Sequence, residues 1–278
     1  MSTTLRLPAG RITSLVSIFG PDDAAAYGLD SWSLKRLQQH GDISNNRLLV
    51  KALSQEFCNM GVTEAFAPNV TRASAKIIET RELLDQIWLD CARTIRRNQY
   101  VHADGIFLAS DQAFVASAAG CGVIIAAAGN YLCVAHAGRD SLINRGAVVG
   151  KPTREHVSVV EAVIEQFRWR EIEPGEIAMA LLFSIPARTF EHDASHPVHG
   201  AYNRALADFV KTRWPDSIIR EGGKTFLDLE RVFLAQTIAA GVRKTWTQNS
   251  LAEHPDLAHT RDGKDANRRN LIVVKRES

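Results

Sequence analysis

The sequence predicts an α+β fold with two mixed β-sheets flanked by helices in α/β/β/α layers, and three observations carry that prediction. Strand-like and helix-like patterns interleave along the whole chain, with no repeat, low-complexity tract or linker to divide it, so residues 1–278 read as one domain. A hairpin signature lies in the middle: the β-branched run Val123, Ile124 and Ile125 reaches Gly129-Asn130, and Tyr131 to Val134 carry the chain back. Such antiparallel neighbours favour mixed sheets over a doubly wound parallel one. Finally, 45% hydrophobic content over 278 residues is ample for a large core.

Taken in order, residues 11–20 form a strand-like run closed by Gly20 and Pro21, and a polar, Asp-rich stretch follows. From Asn46 to Gly61, the apolar residues Leu48, Leu49, Ala52, Leu53 and Phe57 recur at helical spacing, with Gly61 as the C-terminal cap. Strand-like residues occupy 66–70. The stripe Leu83, Leu84, Ile87, Trp88, Cys91 and Ile95 predicts a second helix over 82–96, with Cys91 in the core. Apolar runs at 106–108 and 114–119 lead into the hairpin, and 141–150 reads as a Gly-containing connection. A third helix is expected after Pro152, with Thr153 as its N-cap and Val157, Val160, Val163, Ile164 and Phe167 facing inward. Residues 177–185 read as a buried strand ended by Pro186. Two more amphipathic helices are expected over 202–214 and 227–240, the second capped by Gly241, and 271–274 makes a final strand.

Charge excludes several function classes. The 33 basic and 31 acidic residues leave a formal charge of +2, which is no footprint for nucleic acid or a membrane surface. Small-molecule or amide-bearing substrates are the expected partners; the oligomeric state stays open. No apolar run approaches the roughly 20 residues that span a bilayer, and the first ten residues lack the features of a secretory signal, so the cytoplasm is the expected compartment. Four cysteines with no C-x-x-C pair read as reduced thiols rather than a disulfide framework.

The hairpin turn decides the chemistry. If Gly129 and Asn130 are the only loop residues, Ala128 faces Tyr131, Val123 faces His136, and Cys121 faces Gly138. Cys121 and His136 are then diagonal neighbours on one face of the sheet, whereas a three-residue loop puts them on opposite faces. Most free cysteines are small buried hydrophobes. Here an adjacent imidazole can stabilise a thiolate, and the flanking Gly120 and Gly122 let a substrate approach the backbone, so Cys121 is the expected nucleophile and His136 its base. Cys133 has the opposite parity and belongs to the core. Asp104 is placed to orient His136 or His102 as a carboxylate does in a triad, although an Asp-Gly pair is also a common turn. His192, His196 and His199 are interrupted by Pro197, which points to a solvated loop rather than a metal site.

Six motifs stand out: Ala103-Asp104-Gly105 before a strand, Cys121 at the next strand, His136-Ala137-Gly138 closing the hairpin, Leu227-Asp228-Leu229, Gly241-Val242, and Arg261-Asp262-Gly263 with Arg268 or Arg269. In this order they resemble the laccase-domain family, also called the multicopper polyphenol oxidase or peptidoglycan editing factor family, over roughly residues 42–276, leaving 1–41 as a variable N-terminal segment. The resemblance implies the family's fold and its zinc-dependent purine nucleoside phosphorylase and adenosine deaminase activities. It also implies that Arg261 and Arg268 reach a phosphate or carboxylate on the substrate; surface arginines are the simpler reading. Three departures fall on the chemistry. Ala119-Gly120-Cys121 stands where the family has Ala-Asp-Cys, and Arg139-Asp140-Ser141 replaces Trp-Arg-Gly, as either a polar-substrate contact or a turn. Thr71 falls where the first metal-binding His is expected, and threonine cannot replace an imidazole on zinc. Cys121 and His136 then supply two ligands, with His102 the nearest third candidate. The segment Gly120-Cys121, Gly129, Tyr131-Leu132 and His136-Ala137-Gly138 also resembles the catalytic hairpin of the cytotoxic necrotizing factor deamidases, cysteine enzymes that hydrolyse a protein glutamine.

The expected activity is therefore cysteine-dependent hydrolysis of a C–N bond of the amidase or deamidase type, with Cys121, His136 and Asp104 as catalytic residues, Gly120, Gly122, Arg139, Arg261 and Arg268 at the substrate, and no cofactor. The alternatives are a zinc-dependent nucleoside enzyme using Cys121, His136 and His102, and a non-catalytic binding module.

Overall fold

The computed structural model describes residues 3–9, 12–19, 43, 46–70, 75–109, 112–118, 120–151, 158–248 and 270–277. Strands β1 (Thr3–Ala9) and β2 (Ile12–Phe19) come first, then helix α1 (Arg47–Met60) and strands β3 (Glu64–Asn69), β4 (Ile77–Glu79), β5 (Asp85–Trp88), β6 (Thr94–His102), β7 (Gly105–Leu108) and β8 (Ala113–Ala118). The hairpin β9 (Gly122–Ala128) and β10 (Tyr131–Ala137) leads into helices α2 (Arg139–Leu142), α3 (Arg145–Val148) and α4 (Val159–Arg168). Strand β11 (Ala178–Leu182), helix α5 (Gly200–Arg213), the small hairpin β12 (Ile218–Glu221) and β13 (Lys224–Leu227), helix α6 (Leu229–Ala239), β14 (Lys244–Gln248) and β15 (Asn270–Glu277) complete the order.

Two mixed sheets result. One runs β1-β2-β15-β8-β3-β6-β5 and the other β14-β11-β9-β10-β7-β4. Strand alternation shows how they stack, because successive side chains of a strand point to opposite faces. On β15, Ile272 and Val274 join the core shared with the six-stranded sheet, while Leu271 and Val273 join a second core under α1. Strands β3 and β8 alternate likewise, Phe66 and Phe114 facing one way and Ala65, Ala67 and Val115 the other. The central strands β3, β8 and β15 are thus covered on both faces, which is why their apolar residues run consecutively rather than alternating with polar ones. Helices α4 and α6 contribute Val160, Val163, Phe167, Val232 and Phe233 to the larger core. The layers are α/β/β/α, as expected from the sequence.

Local signals explain the element ends. The Asn46 side chain caps α1 at the Leu49 N–H, and Gly61, at φ 63°, ends it in the left-handed conformation that glycine tolerates. The strand over 11–20, the helices over 202–214 and 227–240 and the final strand are found within a few residues of their expected bounds. Four expectations are corrected. Residues 82–96 form a strand pair, β5 against β6, closed by a turn in which the Leu89 N–H donates to the Arg93 carbonyl. Leu83, Ile87, Leu89 and Ile95 are buried while Leu84 and Trp88 are exposed, so the pattern has period two; a spacing of four fits both periods. Cys91 sits in that turn and is exposed rather than core. Residues 141–150 carry α2 and α3 rather than a plain connection. The third helix starts at Val159, where Ser158 and Glu161 form a reciprocal capping box; Thr153 and Val157 lie outside the described residues. Among the described residues no helix is long and apolar enough to cross a membrane.

Candidate active site

The β9–β10 turn has the two-residue length on which the site depends. Ala128 pairs with Tyr131, Val123 with His136 and Gly122 with Ala137, and Gly129 takes φ 54°. Cys121 immediately precedes β9, one step beyond the last pair, and this register puts it diagonal to His136. The two side chains meet: the imidazole is hydrogen-bonded to Cys121. Gly138 makes the contact possible. A Cβ built on it would lie 2.8 Å from Cε1 and 2.9 Å from Nε2 of His136, and 3.3 Å from Cys121 Sγ. Cys133 points the other way into the core, fully buried, and burial pushes its thiol well above the ordinary range.

The other edge of the imidazole is held by Asp104. This carboxylate is completely buried, and its Oδ1 lies 3.2 Å from His136 Nδ1. It also accepts from the Ala75 N–H at 2.6 Å and from Ser141 Oγ at 3.0 Å. Its position follows from the neighbouring strand. Gly105 opens β7 against Ala135, where a Cβ would come within 2.5 Å of the alanine Cβ, and the His136 N–H donates to the Asp104 carbonyl at 2.7 Å. Only glycine permits that approach. Of the two partners the sequence offered, Asp104 takes His136.

Ser141, expected in a connecting turn, instead stands in the first turn of α2, buried, with Oγ 3.2 Å from His136 Nδ1 as well. Because Nδ1 is engaged by Asp104 and Ser141, Nε2 is left for Cys121. Burial disfavours the charged imidazolium, but the Cys121 charge and the hydrogen bonds to Asp104 and Cys121 outweigh it and raise His136 to about 10. An imidazolium at His136 and a thiolate at Cys121 thus favour one another across this contact.

Arg139 begins the same helix. Its guanidinium pairs with Asp140 at 2.6 and 3.2 Å and lies 5.2 Å from the centroid of the Tyr202 ring, whose hydroxyl donates to Asp140 at 3.1 Å. Burial works against the Arg139 charge, yet Asp140 holds it raised, with Cys121 adding a smaller contribution in the same direction. Burial and the Asp140 charge push the Tyr202 phenol up to about 12. Tyr202 carries no local sequence signal, since Asp140 is 62 residues away. Ser141 had one, the start of a helix directly after His136-Ala137-Gly138.

The remaining expectations divide. Gly120, at φ 86° and buried, sets the bend that delivers Cys121. Gly122 is buried too, and a Cβ there would meet the Leu181 side chain at 2.9 Å and the Leu182 carbonyl at 3.1 Å, so close strand packing also requires its smallness. His102 is exposed at the end of β6, and among the described residues no three His, Cys, Asp or Glu side chains come together as a metal site. Cys121 and Nε2 of His136 are two donors of the kind zinc takes, and Nδ1 on Asp104 is how a metal-bound imidazole is commonly oriented, but catalytic zinc takes three protein ligands and among the described residues no third His, Cys, Asp or Glu side chain joins them. His192 is buried against Phe190 rather than solvated, with Nδ1 2.9 Å from the Phe190 carbonyl oxygen, while His196 and His199 are exposed and stack on each other. Thr71, Arg261 and Arg268 lie outside the described residues.

No family model matches the chain, and no curated protein matches it by sequence. Solved structures do. The chain is similar to the Neisseria meningitidis protein NMB0706, described under the family model DUF152, with a TM-score of 0.64 at 15% identity over 100% of this chain and 99% of that one. It is similar to the hypothetical protein YfiH of Bacillus licheniformis, with a TM-score of 0.64 at 13% identity over 95% and 92%. It is also similar to YlmD of Geobacillus stearothermophilus, with a TM-score of 0.60 at 14% identity over 99% and 100%. None of the three is a cytotoxic necrotizing factor deamidase, and that part of the expected likeness gains no support. What the chain shares with these proteins along their length is the DUF152, laccase-domain-like fold.

Proposed function

We propose that the protein is a cysteine-dependent hydrolase of a C–N bond, of the amidase or deamidase type, acting on a small-molecule or amide-bearing substrate without a resident metal. One observation carries the reading: His136 bridges a fully buried carboxylate and a thiol, with Nδ1 on Asp104 and Nε2 left for Cys121. That is the arrangement in which a base holds a nucleophile's proton and a third group orients the base.

In the proposed reaction, the Cys121 thiolate adds to the amide carbon while backbone N–H groups of the 120–122 segment face the developing oxyanion. The C–N bond breaks as the His136 imidazolium gives its proton to the leaving nitrogen, releasing ammonia or an amine. Water then adds to the thioester with His136 taking its proton, the C–S bond breaks, and a carboxylic acid leaves. Asp104 and Ser141 are positioning residues, fixing the tautomer and the ring. Arg139, whose guanidinium feels the Cys121 charge and lies over the Tyr202 ring, favours a polar substrate.

A second reading rests on the location of Cys121 and His136, which occupy the places of two zinc ligands in the laccase-domain resemblance. It makes the chain a nucleoside-processing enzyme. Assaying metal-free and zinc-supplemented protein against glutamine amides and purine nucleosides, with Cys121→Ala as control, separates the two. Ammonia release from an amide by metal-free protein, abolished in the variant, is the expected result. Turnover of nucleosides alone, dependent on stoichiometric zinc that Cys121→Ser fails to hold, overturns the thiol mechanism. A protein inactive in every arm supports a binding module.

A further inference from the structure

We infer that the protein carries a second ligand site, a cationic cavity on the outer face of α1 that takes a small molecule with clustered negative charge. A cavity of about 440 Å³ opens between α1 and the β5–β6 turn. Arg47 and Lys51, one helical turn apart and both exposed, line it with Arg93 from the turn. Among the described residues neither Arg47 nor Lys51 has an ion-pair partner.

Arg93 is braced rather than loose. Asp90 pairs with it at 2.8 Å and is itself hydrogen-bonded to Ser54 on α1, so the turn and the helix are tied together at the cavity. Among the described residues, one carboxylate, Asp90, thus stands against the three cations at the cavity, a surplus of two positive charges. Val50 and Leu89 supply an apolar portion of the lining. The volume suits a compact phosphorylated or polycarboxylate metabolite, and charged groups in a concave site strengthen both attraction and on-rate.

The cavity is separate from the Cys121 site. It lies over the core formed by α1 and the seven-stranded sheet, whereas the β9–β10 hairpin belongs to the other core. Its ligand chemistry is accordingly independent of the hydrolase reading.

Cys58 lines the cavity and reports on it. Full-length protein is titrated calorimetrically at low salt with inorganic pyrophosphate in one arm and citrate in another. Cys58 alkylation by iodoacetamide is followed by mass spectrometry in the same solutions. Binding of either anion, with Cys58 protected several-fold, supports the site and tells phosphate from carboxylate. The Arg47→Gln/Lys51→Gln variant then binds about tenfold more weakly, as loss of charge-assisted contacts at a partly exposed site implies. Failure of both anions to slow Cys58 alkylation in the wild-type protein, or undiminished affinity in a folded double variant, overturns the proposal. If the double variant does not fold, wild-type protection and Arg47→Gln alone decide it.

Discussion

Gly138→Ala tests the contact on which the site is built. The backbone of Gly138 has φ −68° and ψ 168°, open to any residue, so the whole cost of the substitution lies in one methyl group. That methyl would stand 2.8 Å from His136 Cε1, 2.9 Å from Nε2 and 3.3 Å from Cys121 Sγ, all inside ordinary van der Waals separation. Relief requires the ring to retreat by about 0.6 Å. It cannot simply swing away, because Nδ1 is held by Asp104 and Ser141 at 3.2 Å each. Overpacking of this kind costs about 1–3 kcal/mol, which for a chain of this size lowers the melting temperature by roughly 2–10 °C. Separation of the pair lowers turnover by about 10²-fold. Thermal unfolding reads the first effect, and an NMR titration of ¹⁵N-labelled histidine reads the cause: the His136 value of about 10 falls toward that of a free imidazole. A variant that melts within about 1 °C of wild type and leaves the His136 titration unchanged would refute the reasoning.

Other perturbations probe the remaining parts. Asp104→Asn keeps an acceptor for the Ala75 N–H but removes the charge facing the imidazolium, so turnover should fall by roughly 10³- to 10⁴-fold and the His136 titration should move down, read by kinetics and NMR. Linkage gives a pH signature. An unfolded histidine titrates near 6.5 and folded His136 near 10, so its stabilising contribution is complete below pH 6.5 and lost as pH rises through about 10. Urea melts should therefore show the gap between wild type and His136→Gln at its widest on the acid side and closing across that window. Gly129→Ala places a Cβ where nothing lies within 4 Å but φ is 54°; a purely conformational loss of about 1–2 kcal/mol is expected, with Cys121 reactivity unchanged. Cys133, fully buried, should resist alkylation in the folded protein and react only under denaturing conditions.

The parts of the structure that were legible in the sequence are those set by local geometry. A Gly-Asn turn fixes hairpin register, and register fixes which side chains share a face, so the Cys121–His136 contact followed from counting. Helix α1 was legible for the same reason, with Asn46 and Gly61 marking both ends. The stretch over 82–96 failed because buried residues spaced by four satisfy a helix and a strand alike; the exposed Leu84 and Trp88 show which period won. The start of α4 was misplaced although Ser158 and Glu161 form a capping box, a stronger signal than Thr153 after a proline. Asp104 could be nominated but not assigned, since its partners are 29 to 37 residues away and meet it only once β7 docks on β10. Tyr202 and the cationic cavity exist only in three dimensions.

The central claim is that Cys121 is a nucleophile activated by His136, and its alkylation rate tests that claim most directly. Iodoacetamide labelling near pH 7, resolved by mass spectrometry, should modify Cys121 at least about tenfold faster than exposed Cys58, with His136→Ala abolishing the difference. Cys121 reacting no faster than Cys58 in metal-free wild-type protein would contradict the account.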